Sequence, residues 1–250
     1  CAVTVFFIYA KQWVLDAKRV YTRCMLLNNK TVVITGGSGG IGFALAKALI
    51  AKGARVFSFD KVKPKERIAN FTHITVDITK PATIKRGFKK ISPPIDILIN
   101  NAGVMRRGKI LEASEDDFDL LFGINLRGSW LVLKYAQPYL RKRPVVVQMS
   151  SRHGLALPQD PALYGLTKRC VKDLADVVQA THPAWNIKVV CPGPIDTPLT
   201  WTGVGAAERP KKRKLVRPPE HIAAKIVALL ESDKKTILFD AKKWDEVILD

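Results

Sequence analysis

From Lys30 onward, the chain alternates short apolar runs with longer stretches in which apolar residues recur every three or four positions. The short runs predict strands, because strands buried on both faces read as nearly continuous apolar segments. They cover residues 31–35, 54–60, 73–77, 95–100, 145–150, 187–191 and 236–240. The periodic stretches predict helices over residues 40–52, 81–90, 115–141, 162–180 and 219–232.

This alternation is typical of βαβ units, which place helices on both faces of a parallel sheet. We therefore predict an α/β protein with a Rossmann-type, doubly wound sheet of seven mainly parallel strands. A chain of 250 residues suffices for one such domain. We assign residues 29–250 to this domain and residues 1–28 to an N-terminal extension.

The extension allows two interpretations. Residues 1–10 are apolar and uncharged, but a helix needs about 20 such residues to span a bilayer. Residues 11–23 combine apolar residues at helical spacing with basic ones. This pattern favours a helix lying on a membrane surface, or a helix packed on the domain or on a second copy. The first residue is Cys rather than Met, so an anchor ahead of Cys1 is a further alternative.

Composition bounds the partners and the compartment. The chain has 41 Lys and Arg against 22 Asp and Glu, a net charge of +19 that attracts anions. Its four cysteines show neither the spacing of a metal site nor the crowding of a disulfide framework. We therefore expect free thiols, no metal, and an intracellular location, either the cytoplasm or the cytoplasmic face of the endoplasmic reticulum or a lipid droplet.

Residues 197–219 break the alternation with glycines, prolines and the basic run at 211–214. This composition predicts a loop. Because the segment follows a strand end, where open α/β sheets bind ligands, we expect it to be a substrate lid. Its basic run indicates an anion-attracting or membrane-facing lid, while a merely solvated loop and a nuclear-import signal are the alternatives.

A glycine-rich turn joins the first predicted strand to the first helix, over residues 36–42. Strand, turn and helix together are the context that a dinucleotide-binding fingerprint requires. Glycines let a pyrophosphate approach the backbone N–H groups at a helix N-terminus. Two registers fit the turn: Gly37, Gly39 and Gly42, or Gly36, Gly40 and Gly42.

Asp60 ends the second predicted strand, 18 residues after Gly42. A carboxylate there can accept hydrogen bonds from the adenosine ribose and repel a 2′-phosphate, which favours NAD over NADP. Lys61 and Lys63 follow directly and could compensate a phosphate, so NADP is not excluded. The structural alternative is an ordinary turn residue.

Tyr164 and Lys168 lie four residues apart in a predicted helix and so share one face. An ammonium about 4 Å from a phenol contributes about 4 kcal/mol at an effective dielectric of about 20, enough to lower a tyrosine pKa by about 3 units. This spacing alone is weak, because such pairs arise by accident in many helices.

Further motifs accompany this pair. Asn100–Gly103 reads Asn-Asn-Ala-Gly, Pro192 and Gly193 are adjacent, and Ser151 lies thirteen residues before Tyr164. With the turn at 35–42, their order and spacing resemble the classical branch of the short-chain dehydrogenase/reductase family over about residues 29–240. The resemblance selects the turn register with Gly36, Gly40 and Gly42.

The resemblance implies a catalytic tetrad of Asn125, Ser151, Tyr164 and Lys168. Tyr164 would act as acid or base on the substrate oxygen, and Ser151 would hydrogen-bond that oxygen. Lys168 would lower the tyrosine pKa and hold the nicotinamide ribose, while Asn125 would link the lysine to water. The neighbouring Ser150 would support the backbone.

The resemblance also implies a cofactor site for NAD, with NADP not excluded. Asp77 would contact the adenine, and Ile195 and Thr197 would position the carboxamide. The implied cofactor-binding residues are Gly36, Ser38, Gly40, Ile41, Gly42, Asp60, Asp77, Ile78, Asn101, Ala102, Gly103, Tyr164, Lys168, Pro192, Gly193, Ile195 and Thr197. His153 is interpreted as a loop residue with no required role.

The implied function is hydride transfer between the nicotinamide and a secondary alcohol or ketone, with an apolar or lipid-like substrate favoured by the N-terminal segment. Homodimers or homotetramers are expected through the helices at 115–141 and 162–180, with a membrane surface as a further partner through residues 1–23. The alternative is a non-catalytic Rossmann protein that senses nicotinamide or binds nucleic acid. An intact tetrad disfavours it, and nucleic-acid binding would depend steeply on salt.

Overall fold

The computed structural model describes residues 27–92, 94–156 and 158–250. Within these residues, eight strands form one sheet in the order β3-β2-β1-β4-β5-β6-β7-β8. Strands β1 to β7 are parallel, and β8 is antiparallel to β7. The doubly wound fold and all seven predicted strands are confirmed. The strands are β1 (Thr31–Thr35), β2 (Arg55–Asp60), β3 (Phe71–Thr75), β4 (Ile95–Asn100), β5 (Leu140–Met149), β6 (Asn186–Cys191), β7 (Thr236–Asp240) and β8 (Asp245–Leu249).

Sequence analysis missed β8. The segment begins with Asp245 and Glu246 and has only three apolar residues after them, which is typical of a polar surface segment. In the fold it pairs with β7 along its whole length and extends the sheet. Glu246 is buried there and accepts a hydrogen bond from the Gly193 N–H. Tertiary contacts rather than local pattern therefore determine this strand.

Helices cover both faces of the sheet. Helices α1 and α9 pack together on one face, where Leu45, Leu49 and Ile226 are fully buried. Helices α2, α4 and α6 cover the other face, where Phe88 and Val132 are buried. Because β1 to β7 are parallel, their carboxyl ends lie at one edge of the sheet. The described helices are α1 (Gly40–Ala51), α2 (Pro81–Lys89), α3 (Glu115–Leu121), α4 (Ser129–Ala136), α5 (Arg152–Ala156), α6 (Ala162–Thr181), α7 (Pro198–Trp201), α8 (Arg209–Arg213) and α9 (Pro219–Leu230).

The helix predicted over residues 115–141 is confirmed as a helical stretch that runs without a break to Tyr139, and Leu140 already belongs to β5. Within it, a π-helical segment at Phe122–Gly128 separates α3 from α4. A π-helical turn contains an extra residue, which changes the direction of the side chains on either side of it. Apolar periodicity does not reveal one inserted residue, so sequence analysis missed the π-helical segment.

The segment at 197–219, predicted as a loop, contains the short helices α7 and α8. Lys212 and Arg213 of α8 lie over the ring of Trp201, with their charged groups 5.8 Å and 5.4 Å from its centroid. Trp244 Nε1 donates to the Leu215 carbonyl oxygen at 3.1 Å and joins the segment to the end of the sheet. Side-chain stacking thus stabilises helices that the local composition disfavours.

The predicted membrane-surface segment over residues 1–23 lies outside the described residues. Across the part of the chain that is described, no helix combines the length and the apolar content needed to cross a bilayer. Cys170 and Cys191, the cysteines in that part, are free thiols as the sequence predicts.

Candidate active site

A cavity of about 1060 Å³ lies at the carboxyl edge of the sheet, where the strand order reverses between β1 and β4. Open α/β sheets bind ligands at such a reversal. Three predicted site residues, Ser38, Gly42 and Asn125, lie behind its wall. The predicted residues on the wall are Gly36, Gly40, Ile41, Asp60, Asp77, Ile78, Asn101, Ala102, Gly103, Ser151, Tyr164, Lys168, Pro192, Gly193, Ile195 and Thr197.

The turn after β1 depends on two glycines. Gly36 has a φ of +65°, in the left-handed region that favours glycine. A Cβ atom at Gly42 would lie 2.1 Å from the Gly36 carbonyl oxygen, so no larger residue fits there. The first turn of α1 therefore packs directly on the glycine turn. This packing brings a helix N-terminus, with its unpaired N–H groups, to the cavity wall.

The Asn-Asn-Ala-Gly motif holds this turn in place. Asn101 Nδ2 donates to the carbonyl oxygens of Thr35 and Gly36, both at 3.0 Å. The Thr35 hydroxyl oxygen in turn accepts the N–H groups of Asn101 and Ala102 at 3.0 Å and 3.1 Å. The end of β1 and the end of β4 are therefore fixed to each other at the reversal point.

Asp60 lies at the end of the cavity next to β2. Its Oδ2 accepts a hydrogen bond from the Ser38 N–H at 3.0 Å, and its Oδ1 accepts one from the Val62 N–H at 3.1 Å. The Ser38 hydroxyl lies 3.0 Å from that of Ser58. The carboxylate is therefore held beside the glycine turn, in the place that sequence analysis assigns to the adenosine ribose.

Lys61, the alternative partner for a 2′-phosphate, pairs with Asp77 instead. Its Nζ lies 3.4 Å from Asp77 Oδ2. Burial acts to raise the pKa of Asp77, but hydrogen bonds from Thr79 and the charge of Lys61 outweigh it, so the pKa is lowered overall. This end of the cavity therefore carries two acidic side chains, Asp60 and Asp77.

Ser151, Tyr164 and Lys168 meet at the other end of the cavity. Tyr164 and Lys168 lie on one face of α6, with only 5% and 4% of their surface exposed. Ser151 follows β5, and its hydroxyl oxygen accepts the His153 N–H at 3.2 Å, which leaves the hydroxyl proton for another acceptor. Ser150 donates to the Lys168 carbonyl oxygen at 2.7 Å and so supports the backbone.

Burial controls the protonation of this group. It raises the pKa of Tyr164 to about 12, and a hydrogen bond with Ser151 offsets only part of the effect. It lowers the pKa of Lys168 to about 8. Lys168 Nζ donates to the Met149 carbonyl oxygen at 2.8 Å and lies 5.8 Å from the Tyr164 ring centroid. A tyrosine pKa lowered by Lys168 is not observed in this arrangement and stays a prediction.

Asn125 is fully buried in the π-helical segment. Its Oδ1 accepts the Val104 N–H at 2.9 Å, and its Nδ2 donates to the Val104 carbonyl oxygen and to Thr167 Oγ1, both at 3.0 Å. The Asn125 carbonyl oxygen accepts the Ser129 hydroxyl at 2.8 Å. Asn125 therefore joins the loop after β4 to α6, the helix that carries Tyr164.

Sequence analysis missed a contact beneath the Pro-Gly motif. Glu246 of β8 accepts the Gly193 N–H at 2.9 Å, and its second carboxylate oxygen lies 2.9 Å from His221 Nε2. His221, Asp245 and Glu246 together have the donor types of a metal site. The hydrogen bonds to Gly193 and His221 already account for the buried Glu246.

Three basic residues line the wall near Tyr164. Arg107, Arg152 and Lys212 belong to the loop after β4, to α5 and to α8. His153 lies with them, edge-on to the Tyr164 ring with 6.0 Å between ring centroids. Lys212 belongs to the basic run that sequence analysis assigned to an anion-attracting or membrane-facing lid, whereas no local signal identifies Arg107 and Arg152 in a sequence that has 41 Lys and Arg.

Comparison with known proteins assigns the family, since residues 30–205 match the short chain dehydrogenase family. The chain belongs to this family. Oxidoreductase UcpA of Escherichia coli K12 is 34% identical over 190 residues, 69% of this chain and 72% of the relative. Meso-2,3-butanediol dehydrogenase of Serratia marcescens is 29% identical over 232 residues, 86% and 92% of the two chains. The ligand-free aldohexose dehydrogenase of Thermoplasma acidophilum has a TM-score of 0.73 and 29% identity, covering 82% of this chain and 88% of that one.

This short-chain dehydrogenase is therefore an NAD(P)-dependent oxidoreductase for small-molecule alcohol or carbonyl substrates. The cavity fits a dinucleotide, because it contains Asp60 at one end, the glycine turn in the middle, and Tyr164 with Lys168 at the other end. A Cβ atom at Gly36 would lie 3.0 Å from the Ala102 Cα, so its absence lets the glycine turn pack against the end of β4 at the centre of this wall. These residues would hold the cofactor, which supplies the hydride acceptor or donor.

Proposed function

We propose that this short-chain dehydrogenase transfers a hydride between NAD and a secondary alcohol or ketone. The observation that carries the proposal is that Ser151, Tyr164 and Lys168 line the same cavity as the glycine turn. A dinucleotide at the turn and a substrate oxygen at Tyr164 would share one space, as hydride transfer requires.

In this proposal, Tyr164 exchanges the proton of the substrate oxygen. Its high pKa keeps the phenol protonated near neutral pH, so it can donate to a carbonyl oxygen during reduction. Ser151 donates to the same oxygen, because the His153 N–H already occupies an acceptor position on its hydroxyl. During oxidation, the positive charge of Lys168 stabilises the phenolate.

Lys168 passes the proton onward in this proposal, and Asn125 helps to form the route to water beside it. Both approach Gly103: a Cβ atom there would lie 3.1 Å from Asn125 Oδ1 and 3.2 Å from Lys168 Nζ. The extra residue of the π-helical segment brings Asn125 towards α6. We assign the route from Lys168 to bulk water to this side of the site.

We assign the preference for NAD to Asp60. Two backbone N–H groups hold its carboxylate at the end of the cavity, where it would accept the ribose hydroxyls and repel a 2′-phosphate. The pairing of Lys61 with Asp77 supports this assignment, because it occupies the lysine that would otherwise neutralise the phosphate.

We propose that the body of the substrate is apolar. Val104 and Met105 line the cavity on the side of Tyr164, and Leu199 and Leu215 face it from the segment at 197–219. Burying apolar substrate surface against these side chains favours binding. In this proposal, the segment with α7 and α8 serves as the substrate lid.

We propose that copies of the chain pair through α4 and α6. Trp130, Leu166 and Val177 are large apolar residues on these helices, and they expose 44%, 37% and 59% of their surface. Light scattering of wild type and Val177→Glu tests this pairing, and a smaller assembly is expected for the variant. Membrane contact through residues 1–23 stays a prediction from sequence.

The test of the function is ketone reduction followed through NADH absorbance, with a panel of short and medium-chain ketones. Tyr164→Phe should lower kcat about 10²- to 10⁴-fold, the contribution of a positioned acid or base. Its NADH affinity should stay near that of wild type, because the ring remains.

Tyr135→Phe is the matched control, since Tyr135 lies on α4 against Lys85 and away from the cavity. It should leave kcat unchanged. Tight NADH binding with no hydride transfer to any ketone would favour the non-catalytic sensor, and equal rates for Tyr164→Phe and wild type would contradict the proposed acid.

A further inference from the structure

We propose that the substrate carries an oxyanionic group, a carboxylate or a phosphate ester, that binds to Arg107, Arg152 and Lys212 beside Tyr164. This inference rests on the proposed function and names the class of its substrate: an apolar alcohol or ketone with an anionic end. The three cations come from distant segments of the chain, yet all line the cavity that contains Tyr164. This convergence separates them from the solvated basic residues of the surface.

Most of this positive charge is not neutralised by the protein. Arg107 pairs with Asp160, with 2.9 Å between Nη1 and Oδ2. Arg152 lies against the rings of Phe239 and Trp244, 5.6 Å and 5.9 Å from their centroids. Neither Arg152 nor Lys212 has a carboxylate as ion-pair partner among the described residues. Three cations against Asp160 and Glu208, of which only Asp160 forms an ion pair with them, leave a net positive site.

Buried nitrogen atoms at this site also lack partners. Within the described ranges of the chain, Arg107 Nε and His153 Nδ1 form no hydrogen bond although both are buried. Buried polar atoms in proteins are nearly always paired. The protein therefore satisfies the Arg107 guanidinium only in part, through the pair of its Nη1 with Asp160.

The cations also repel one another. Burial and the charges of Arg152, Lys212 and Arg107 lower the pKa of His153 to about 4, and Asp160 offsets only part of this. Burial together with the charges of Arg107 and Arg152 lowers the pKa of Lys212 as well, against the opposing effect of Glu208 and Asp160. An oxyanion placed among these groups would remove the repulsion.

The position of the site assigns the anion to the substrate. His153 packs edge-on against Tyr164, so the cations around it adjoin the reacting end of the cavity. Asp60 and Asp77 mark the opposite end, next to β2 and β3. The group bound by the cations therefore lies beside the transferred hydride and away from the adenosine.

The test uses matched alcohols that differ in charge. The holoenzyme loaded with NADH is titrated with 3-hydroxybutyrate, 3-hydroxyoctanoate and their methyl esters, and with glycerol 3-phosphate and glycerol, through the change in NADH fluorescence. We expect at least one anion to bind about tenfold or more tightly than its neutral partner, a difference of about 1.4 kcal/mol. The carboxylate pairs and the phosphate pair distinguish the two sources of the oxyanion.

Lys212→Glu should abolish this preference for the anion. Lys211→Glu is the matched control: it makes the same charge change on the same helix, but Lys211 is exposed and outside the cavity wall. It should keep the preference. Arg152→Met, which preserves an apolar contact with Phe239, should weaken binding of the anion and spare that of the ester.

Three outcomes overturn the inference while leaving the proposed function intact. They are NADH binding with no anion bound more tightly than its neutral partner, equal effects of Lys211→Glu and Lys212→Glu, and an equal loss of NADH and anion affinity in Lys212→Glu. The last outcome would indicate that these cations bind the pyrophosphate of the cofactor rather than the substrate. If the wild type binds no NADH, or reduces neither the neutral ketones nor the keto acids that correspond to these hydroxy acids, the proposed function and this inference fail together.

Discussion

The two ends of the cavity are built from different chemical groups. At the end near β2, two backbone N–H groups hold the Asp60 carboxylate, and the adjoining glycine turn is fixed by the close contact of Gly42 with the Gly36 carbonyl oxygen. At the end near Tyr164, long basic side chains such as Arg152 and Lys212 reach the wall from separate elements. Close backbone contacts require particular residues at particular spacings, whereas a long side chain can reach one point from many positions.

The ends also differ in charge. The end near β2, which we propose binds the nucleotide, carries Asp60 and Asp77 in a chain with a net charge of +19. The end near Tyr164, which we propose binds the substrate, carries an excess of cations. Net charge therefore describes the surface and says little about a given part of a site. The comparison predicts that changes at the nucleotide end act on cofactor choice and that changes at the substrate end spare it.

The largest effect is expected for Gly42→Ala. The added Cβ meets the Gly36 carbonyl oxygen at 2.1 Å, so the turn must move. Overpacking of this kind costs about 1–3 kcal/mol, and we expect the Kd for NADH to rise about 100-fold. Fluorescence titration measures the Kd, and circular dichroism shows whether the chain is folded.

Gly205→Ala is the control for that change, because a Cβ atom at Gly205 meets open space. It should bind NADH as the wild type does. A folded Gly42→Ala protein with normal NADH affinity would show that the close contact is not needed for the cofactor.

A smaller effect is expected for Asp60→Ala, which removes the proposed ribose contact. Hydrogen bonds to charged groups contribute about 1.5–3 kcal/mol, so the preference for NADH over NADPH should fall about tenfold or more. Parallel titrations with both cofactors measure this. A wild type that already prefers NADPH would contradict the proposal that Asp60 favours NAD. The variant Asp60→Asn separates the effect of the charge from that of the shape.

An effect of similar size, on kcat/KM rather than on cofactor choice, is expected for Glu246→Gln. This variant weakens the hydrogen bond that Glu246 accepts from the Gly193 N–H. The change keeps the shape but removes the charge that Gly193 and His221 contact. We expect kcat/KM to fall about tenfold, the value of one charge-assisted hydrogen bond. Asp245→Asn is the control, since Asp245 contacts His221 but not Gly193. Equal losses in both variants would indicate that His221, rather than the Pro-Gly motif, is the affected group.

The smallest effect is expected for Lys61→Ala. Its ion pair with Asp77 is long and 70% of the Lys61 side chain is exposed, and such pairs contribute little. The affinities for NADH and NADPH should both stay near those of wild type. A selective loss of NADPH affinity would show that Lys61 binds the 2′-phosphate. The acidic residues at this end of the cavity would then not explain the choice of cofactor.

Local sequence was sufficient where neighbours along the chain form the structure. The apolar runs predicted all seven parallel strands, and α1 and α9 lie within one or two residues of their predicted bounds. Prediction failed where distant residues decide: β8 depends on the burial of Glu246, and α7 and α8 depend on contacts of Trp201 and Trp244. The π-helical segment was missed for a different reason, because one inserted residue leaves the apolar periodicity almost unchanged.

The sequence by itself determined the doubly wound fold and the glycine turn, since each depends on residue types at short, regular spacing. The predicted tetrad was implied by the resemblance to a known family rather than by spacing alone. Only the tertiary structure placed Arg107, Arg152, Lys212 and His153 on one wall beside Tyr164. The physical reason is reach. Backbone conformation and strand burial are set by neighbouring residues, whereas the position of a charged group at the end of a long side chain depends on which elements pack together.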